Sequence, residues 1–359
     1  MSTPEHKFRP AVGAPAEPAF GERTGKRVQL HIAEFADGRW SYLYGDDTEY
    51  GSAVPDIEAI RDAARRARTG AAPETVQGPV IKPPVWTWEV PLYFWFGGIA
   101  AGASFVALAC DLSGDAESAA TARKVALGAL VPSPVLLIVD LGRPKRFYNM
   151  LRIFKPRSPM SMGAWALTAF GNLGAAAVAA DLFGRRRAAR RLGAANAVVG
   201  GYVGSYTGVL LAATAVPVWA RSRLFLGPIF VSTATATGAA ACRLVLSARG
   251  LSHDHPTRRA LANVEAGAMA SELVLSVVNE RRLGPLAGAL SESKLFKAAK
   301  WTVRLGLAAQ LLRRRGPGVQ HAASVMYLFA GLLFRYAWVT AGPRSARDDD
   351  AVAEMARSA

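Results

Sequence analysis

Several ionisable residues lie inside or at the end of long apolar stretches, where a charge is costly and usually faces a helix-bundle interior or a site. They are Asp140, Glu265, Glu272 and Arg335, with Glu89 and His321 near the ends of such stretches. Buried carboxylates suit proton transfer, because burial changes their affinity for protons. Asp140 stands three residues before Arg143, and a proline follows at 144. The two side chains either pair as a structural clip at a helix end or belong to a site.

Two helical faces carry polar side chains at regular spacing. Glu265, Glu272 and Asn279 are spaced seven residues apart, which is nearly two helical turns, so they form one polar stripe. The stripe is either an interhelical hydrogen-bonding seam, a proton path or the wall of a ligand cavity. Tyr202 and Tyr206 also share a face, where phenols either pack or hold the oxygen of a ligand.

Metal ligands are scarce in this sequence. Of five histidines, only His321 lies within a predicted membrane span, so a haem held by two histidines on facing helices has no ligand set. The two cysteines, Cys110 and Cys242, lie far apart in apolar runs and form no CxxC motif. We therefore expect neither haem nor an iron–sulfur cluster in this protein.

The composition indicates an integral membrane protein. The chain has 359 residues, is 51% hydrophobic and has a mean hydropathy of +0.16. Residues 1–84 are polar, and from Trp86 onward apolar stretches long enough to span a membrane alternate with basic loops. The net charge of +16 comes largely from those loops, which favours topology signals and lipid headgroups over nucleic-acid binding.

Eight membrane spans are predicted. The seventh is weak because Lys297, Lys300 and Arg304 share one face of the helix. This segment either spans the membrane against a polar neighbour or lies in the membrane interface. If it lies in the interface, the protein has seven spans. The predicted spans are Glu89–Cys110, Lys124–Leu141, Met162–Phe183, Ala194–Val218, Leu226–Leu246, Leu261–Val278, Lys297–Leu312 and Val319–Ala341.

Two local features predict how these helices are built and packed. Pro132 and Pro134 should kink or break the second span. Gly98 and Gly102 form a GxxxG motif in the first span, which is typical of close helix packing.

The polar extension, residues 1–84, is predicted to be separate from the membrane domain at 85–343 and from a polar tail at 344–359. It contains a possible short strand, "VQLHIAEF", a basic helix, "PDIEAIRDAARRARTG", and an aromatic-acidic patch around Trp40–Tyr50. It is either a largely irregular tail or a docking segment for a soluble partner. The first 30 residues contain no apolar signal segment.

Five stretches resemble the NrfD/PsrC family of polytopic, quinone-interacting membrane subunits. They occur in the family's order between Trp86 and Pro343 and read "WEVPLYFWFGGIAAGA", "DLGRPKRFYNML", "SPMSMGAWAL", "YTGVLLAATAVPVWA" and "LFRYAWVTAG". The resemblance implies an all-α integral membrane fold of about eight transmembrane helices, arranged as two four-helix bundles.

The resemblance also implies a function in electron transport. Such a subunit carries no redox cofactor and exchanges electrons between a partner iron–sulfur subunit and an exchangeable menaquinone or ubiquinone. A molybdopterin subunit completes the complex and acts on formate, polysulfide, thiosulfate, sulfoxide or another substrate. This protein would then be a non-catalytic, multi-pass subunit in a bacterial cell membrane.

The family's functional positions fall on residues that the polarity argument had partly singled out. Asp140, Glu265 and Glu272 are implied proton-exchanging, catalytic residues, with Glu265 standing where some relatives have aspartate. The implied quinone-binding residues are Tyr93, Tyr206 and Arg335, and we add Arg143 because it follows Asp140. We expect Tyr93, Asp140, Arg143, Ser158 and Trp219 near one membrane face, with Arg335 within about two turns of it.

Two other classes of function remain open from the sequence. A proton or ion transporter would use the carboxylate stripe but should show repeated halves with matching broken helices. A plain anchor should contain no buried carboxylates. The loops on the same side of the membrane as the N-terminus contain slightly more lysine and arginine than the loops on the other side. Together with the missing export signal, this excess favours a cytoplasmic N-terminus.

Overall fold

A computed structural model describes residues 81, 83–140, 145, 147–312, 316–348 and 352 of the protein. The predicted strand, helix and aromatic-acidic patch of the N-terminal extension lie outside these residues, as do Arg143 and most of the C-terminal tail. The predictions made for those parts of the chain therefore stay predictions.

All the regular structure in the described residues is helical. The helices are α1 Glu89–Leu112, α2 Ala116–Leu130, α3 Pro132–Asp140, α4 Asn149–Arg152, α5 Pro159–Leu182, α6 Arg186–Ala212, α7 Pro217–Arg221, α8 Arg223–Ala248, α9 Pro256–Leu283, α10 Gly288–Ser291, α11 Lys294–Leu311 and α12 Pro317–Ala346. A 3₁₀ turn, Gly284–Ala287, joins α9 to α10. The predicted all-α membrane fold is confirmed.

Six helical segments are long and apolar enough to cross a membrane: α1, α2 with α3, α5, α8, α9 with its C-terminal extension, and α12. Two of the eight predicted spans, α6 and α11, are long helices that do not reach this apolarity. The first turns of α6 carry a run of arginines, and α11 carries the three basic side chains seen in the sequence.

Several predicted boundaries were wrong. The second span begins at Ala116 rather than Lys124, because the basic side chain of Arg123 within α2 is accommodated in a buried ion pair. The helix of the fourth predicted span, α6, ends at Ala212. The backbone then turns into the short helix α7, whereas the predicted span continued to Val218. The predicted break at the prolines is confirmed, since α2 ends at Leu130 and α3 begins at Pro132.

The helices α1 and α8 approach until their backbones touch. A Cβ atom on Gly102 would lie 1.9 Å from the carbonyl oxygen of Ala234, and one on Gly238 would lie 2.3 Å from the backbone nitrogen of Ala103. Only glycine fits at both positions. The close packing predicted from the glycine motif is confirmed at Gly102, and it places α1 in the middle of the bundle beside α6, α8 and α12.

The alternating direction of the long helices defines two ends of the bundle. We call one the Asp140 end, where α1 begins and α3 finishes. We call the other the Arg123 end, where the α1–α2 turn meets the α5–α6 turn.

At the Arg123 end, burial raises the pKa of Asp115, but hydrogen bonds from Ser118 and Thr257 outweigh burial and lower the pKa below its ordinary value.

Candidate functional site

Asp140 lies half-buried at the C-terminus of α3 and meets the start of α1. Its carboxylate lies within interaction range of the Thr87 hydroxyl and of the Glu89 carboxylate. The Thr87 hydroxyl also hydrogen-bonds Glu89. Two carboxylates and a hydroxyl are thus gathered at one end of the bundle. The proposed clip between Asp140 and Arg143 lies outside the described residues.

The two predicted site tyrosines are buried in the same half of the bundle. Tyr93 belongs to α1 and Tyr206 to α6, and both phenols are buried. The Tyr206 ring packs against Gly163 of α5 so closely that a Cβ there would lie 2.0 Å from the ring. Tyr202 stacks obliquely on Tyr206, with 5.7 Å between ring centroids, but is less buried.

Tryptophans fix the backbone at the Asp140 end. Trp219 of α7 is fully buried and donates its indole N–H to the backbone oxygen of Trp338, at 2.9 Å. Trp86 stacks on Trp219 with 4.9 Å between ring centroids. This stack holds the segment that precedes α1, and so holds Thr87 near Asp140. Ser158 caps α5 at the same end by accepting a hydrogen bond from the backbone N–H of Ser161.

An apolar pocket of about 260 Å³ opens beside this group, where the proline break separates α2 from α3. Ala164 in its wall follows Gly163, the residue that contacts Tyr206. Leu137 in its wall is one helical turn before Asp140. Its lining residues come from α2, α3, α4 and α5 and are almost all apolar: Leu130, Pro134, Leu137, Ile138, Phe147, Met150, Leu151, Ala164, Leu167, Thr168, Gly171 and Asn172.

Arg335 of α12 is buried in the bundle interior with little to neutralise it. Its Nη2 donates to the backbone oxygen of Phe230 at 3.3 Å, and its Cζ lies 4.2 Å from the centre of the Phe230 ring. Its Nε and Nη1 have no hydrogen-bond partner among the residues that the structure describes. The carboxylate that acts on it electrostatically is Glu272. Arg335 thus has spare donor capacity.

Glu272 is also buried, and it lies near Arg335 and Lys300. Its carboxylate accepts a hydrogen bond from the Ser276 hydroxyl, one turn along α9, at 2.7 Å. Because Ser276 is on the same helix, this bond does not join helices. Glu272 and Arg335 influence each other electrostatically inside the bundle, but the structure shows no ion pair between these two described residues.

Glu265 lies in a different setting. It accepts a hydrogen bond from Arg243 of α8 at 2.8 Å and another from Ser324 of α12 at 3.0 Å, and all three side chains are fully buried. Arg243 also donates to Gln320 at 3.1 Å. Further toward the Arg123 end, His321 lies within hydrogen-bond distance of Ser247 and Arg258.

The polar stripe is therefore three separate sites rather than one continuous row of contacts. Asn279, its third member, donates to the hydroxyl of Ser222 at 2.9 Å. Glu265 and Asn279 bind partners on other segments, which supports the seam interpretation for both. The hydrogen bond of Glu272 stays within α9, so the functional interpretation applies best to Glu272.

Several buried charged residues were missed by sequence reasoning. Arg243 lies inside the predicted fifth span, and its single charge in the apolar run "AAACRLVL" was the signal that could have identified it. Asp111 and Arg123 were missed because they stand near the ends of the predicted spans, where charges are common.

The arrangement can exchange protons and hold a ligand oxygen. Carboxylates at Asp140 and Glu272 can take up or release protons, while the phenols and the Arg335 guanidinium can donate hydrogen bonds. In the part of the protein that the structure describes, no group of three or more His, Cys, Asp or Glu side chains is arranged to hold a metal ion. The fold and the site define a multi-pass helical membrane protein with a polar interior at its Asp140 end.

Comparison with known proteins identifies the family. The family model of NrfD, polysulphide reductase, matches residues 79–278, which is more than half of the chain, so the chain belongs to this family. The C subunit of polysulfide reductase from Wolinella succinogenes is 32% identical over 92 residues. That match covers 24% of this protein and 29% of the relative's length. The resemblance seen in the sequence motifs is confirmed.

Proposed function

We propose that this protein is the quinone-exchanging membrane subunit of a respiratory oxidoreductase complex. Membership of the NrfD family supports a membrane subunit, and the relative in Wolinella succinogenes is by name one subunit of a polysulfide reductase. In the proposal, electrons pass between an iron–sulfur partner subunit and a menaquinone or ubiquinone. A molybdopterin subunit would carry out the chemistry on the substrate.

The observation that carries the proposal is the apolar pocket next to the carboxylates and phenols of the Asp140 end. Its volume of about 260 Å³ is just below the range of roughly 300–1,000 Å³ that is usual for small-molecule sites. A quinone is an apolar ring with two polar oxygens, so it needs an apolar wall with a few convergent polar groups. Thr168 and Asn172 are the polar residues in its wall. Leu137 in the wall is one helical turn from Asp140, and Ala164 in the wall follows Gly163, which contacts Tyr206.

Reduction of a quinone takes two electrons and two protons. The residues of this protein would supply the protons and orient the ring. The phenol of Tyr206 can donate a hydrogen bond to a carbonyl oxygen, and Asp140 can deliver a proton from the end of the bundle. Glu272 lies further inside, where a buried carboxylate can take up and release a proton, and Arg335 can donate a hydrogen bond there.

The segment between α3 and α5 supports partner docking at the same end. It exposes Tyr148, Ile153 and Phe154 beside the basic side chains of Arg152 and Lys155. Exposed aromatic residues mixed with arginine are typical of contact surfaces. An electron donor docked here would be close to the pocket.

The test is quinone-linked turnover of the assembled complex in membranes. Tyr206→Phe removes one hydroxyl, so turnover should fall about tenfold, the scale of one lost hydrogen bond of about 1.4 kcal/mol. Tyr202→Phe, on the same helix, is the matched control and should leave the rate near that of the wild type. A dye that accepts electrons from the soluble subunits should show normal rates in both.

Filling the pocket gives a second, independent measurement. Ala164→Phe places a ring in the pocket, whereas Ala175→Phe adds the same ring to an exposed position of the same helix. Only Ala164→Phe should raise the KM for quinone. If it leaves quinone-linked turnover unchanged in an assembled complex, the pocket is not the quinone site.

A second candidate function is proton conduction through the bundle. Polar groups toward the Arg123 end favour it: the buried Glu265 and Arg243 connect to the half-buried Gln320, and the half-buried His321 contacts Arg258. Proteoliposomes with a pH-sensitive dye would separate the two functions. Proton flux that Glu265→Gln abolishes and that needs no quinone would favour the transporter.

A further inference from the structure

A second cavity lies at the Arg123 end and shares no lining residue with the proposed quinone pocket. It has a volume of about 460 Å³ and is lined by the α1–α2 turn, the start of α2, the end of α5 and the start of α6. Arg123 forms part of its wall and is almost fully buried. It donates to Asp111 at 2.6 Å and to both carboxylate oxygens of Asp181, at 2.6 and 2.9 Å. This clasp joins α1, α2 and α5.

The clasp occupies two of the three acidic residues in the cavity wall, and Arg123 offsets one of their two negative charges. The third is Glu117. Four further basic side chains also line the cavity, and the structure shows no ion pair for any of them with another described residue. They are Lys124, Arg186, Arg187 and Arg190. The cavity therefore has a clear excess of positive charge, in a place where guanidinium groups from successive turns of α6 converge.

The cavity lies at the level where apolar spans end. The span α1 ends at Leu112, the span α5 ends at Leu182, and the span that begins with α2 starts between them. Leu182 is in the cavity wall and is 71% exposed, and Phe183 beside it is 80% exposed. Basic groups thus stand directly next to exposed apolar side chains.

We propose that this cavity binds the headgroup of an anionic phospholipid. Arginines bind phosphate oxygens in a forked geometry, and basic pockets between transmembrane helices are suited to anionic headgroups. The exposed Leu112, Leu182 and Phe183 would lie along the acyl chains. A free phosphate ion would use the arginines alone, so the apolar rim commits the site to a lipid.

The experiment is native mass spectrometry of the full-length protein in detergent, with phosphatidylglycerol or phosphatidylcholine added. The wild type should retain phosphatidylglycerol at least about tenfold more strongly than phosphatidylcholine, because each basic group near the headgroup contributes attraction. Arg186→Gln/Arg190→Gln should reduce phosphatidylglycerol retention about tenfold. Arg185→Gln/Arg191→Gln removes the same charge from the same region outside the cavity wall and should have little effect.

A second variant pair protects the test against misfolding. Lys124→Gln/Arg187→Gln alters two other lining residues and should weaken lipid retention in the same way, with thermal unfolding measured for every variant. Equal loss in the control pair would mean unspecific attraction and would overturn the site. Displacement of the lipid by millimolar inorganic phosphate would make it a free-anion site and would overturn the lipid assignment.

Discussion

The Arg243 guanidinium donates through Nη1 to Oε2 of Glu265 across 2.8 Å, and solvent reaches neither side chain. The bond joins α8 to α9, and the hydroxyl of Ser324, which donates to Glu265, brings in α12. Two buried charges therefore hold three membrane-depth helices in register. Since each charge compensates the other, removing only one of them is the costly change.

Arg243→Leu should destabilise the protein by about 3–5 kcal/mol, because it leaves the Glu265 carboxylate buried without a partner. Arg243→Leu/Glu265→Leu should recover most of that loss, since it removes both charges. The measurement is thermal or chemical unfolding in detergent. Arg259→Leu, which breaks an exposed pair with Asp254, is the matched control and should cost less than about 1 kcal/mol. Similar losses in the two single variants would mean that the buried pair contributes nothing special.

Glu272→Gln keeps the shape of the side chain and its hydrogen bonding to Ser276 but removes its titration. Asp140→Asn does the same at the end of the bundle. We expect each to slow quinone-linked turnover in membranes at least about tenfold, because proton supply then limits the reaction. The dye assay of the soluble subunits should be normal, and Asn279→Ala should have a smaller effect. Full quinone-linked rates in both variants would show that these carboxylates are structural.

Gly102→Ala should disturb the contact between α1 and α8, because its Cβ would overlap the carbonyl oxygen of Ala234. The backbones must move apart, and overpacking of this kind costs about 1–3 kcal/mol or more. Gly128→Ala is the control, since nothing lies within 4 Å of its Cβ and alanine is the better helix former. Unfolding midpoints should fall for the first variant and rise slightly or stay unchanged for the second.

Deletion of residues 1–70 tests the N-terminal extension. The aromatic-acidic patch around Trp40–Tyr50 motivates the expectation that the extension contacts a soluble partner. The shortened protein should co-purify less well with its partner subunits while binding quinone normally. Normal assembly would favour the alternative, a tail without a docking role.

Features of the fold that depend on a single local physical constraint could be predicted from the sequence. The membrane class follows from the length of the apolar stretches, and the break between α2 and α3 follows from the missing N–H and the bulk of proline. The family resemblance also followed from short local motifs and was confirmed. The helices α6 and α11, predicted as spans, do not reach the apolarity of the other six, because each carries basic side chains or polar residues along its length.

The site itself was only partly predictable. A period of seven correctly places Glu265, Glu272 and Asn279 on one face of α9. That period gives no information on which helix lies opposite each of them. Arg243 and Ser324 come from two other helices, so the pairing of Glu265 depends on how α8, α9 and α12 pack.

Apolarity and helical period act along the backbone, so they were enough to predict a helical membrane protein of the NrfD family with carboxylates and phenols at membrane depth. Which of those groups meet depends on how the helices pack. Packing joined Glu265 to Arg243, left two donors of Arg335 without a partner among the described residues, and opened an apolar pocket one helical turn from Asp140. A buried charge is stable only where packing brings a partner to it, and these partners are distant in the sequence.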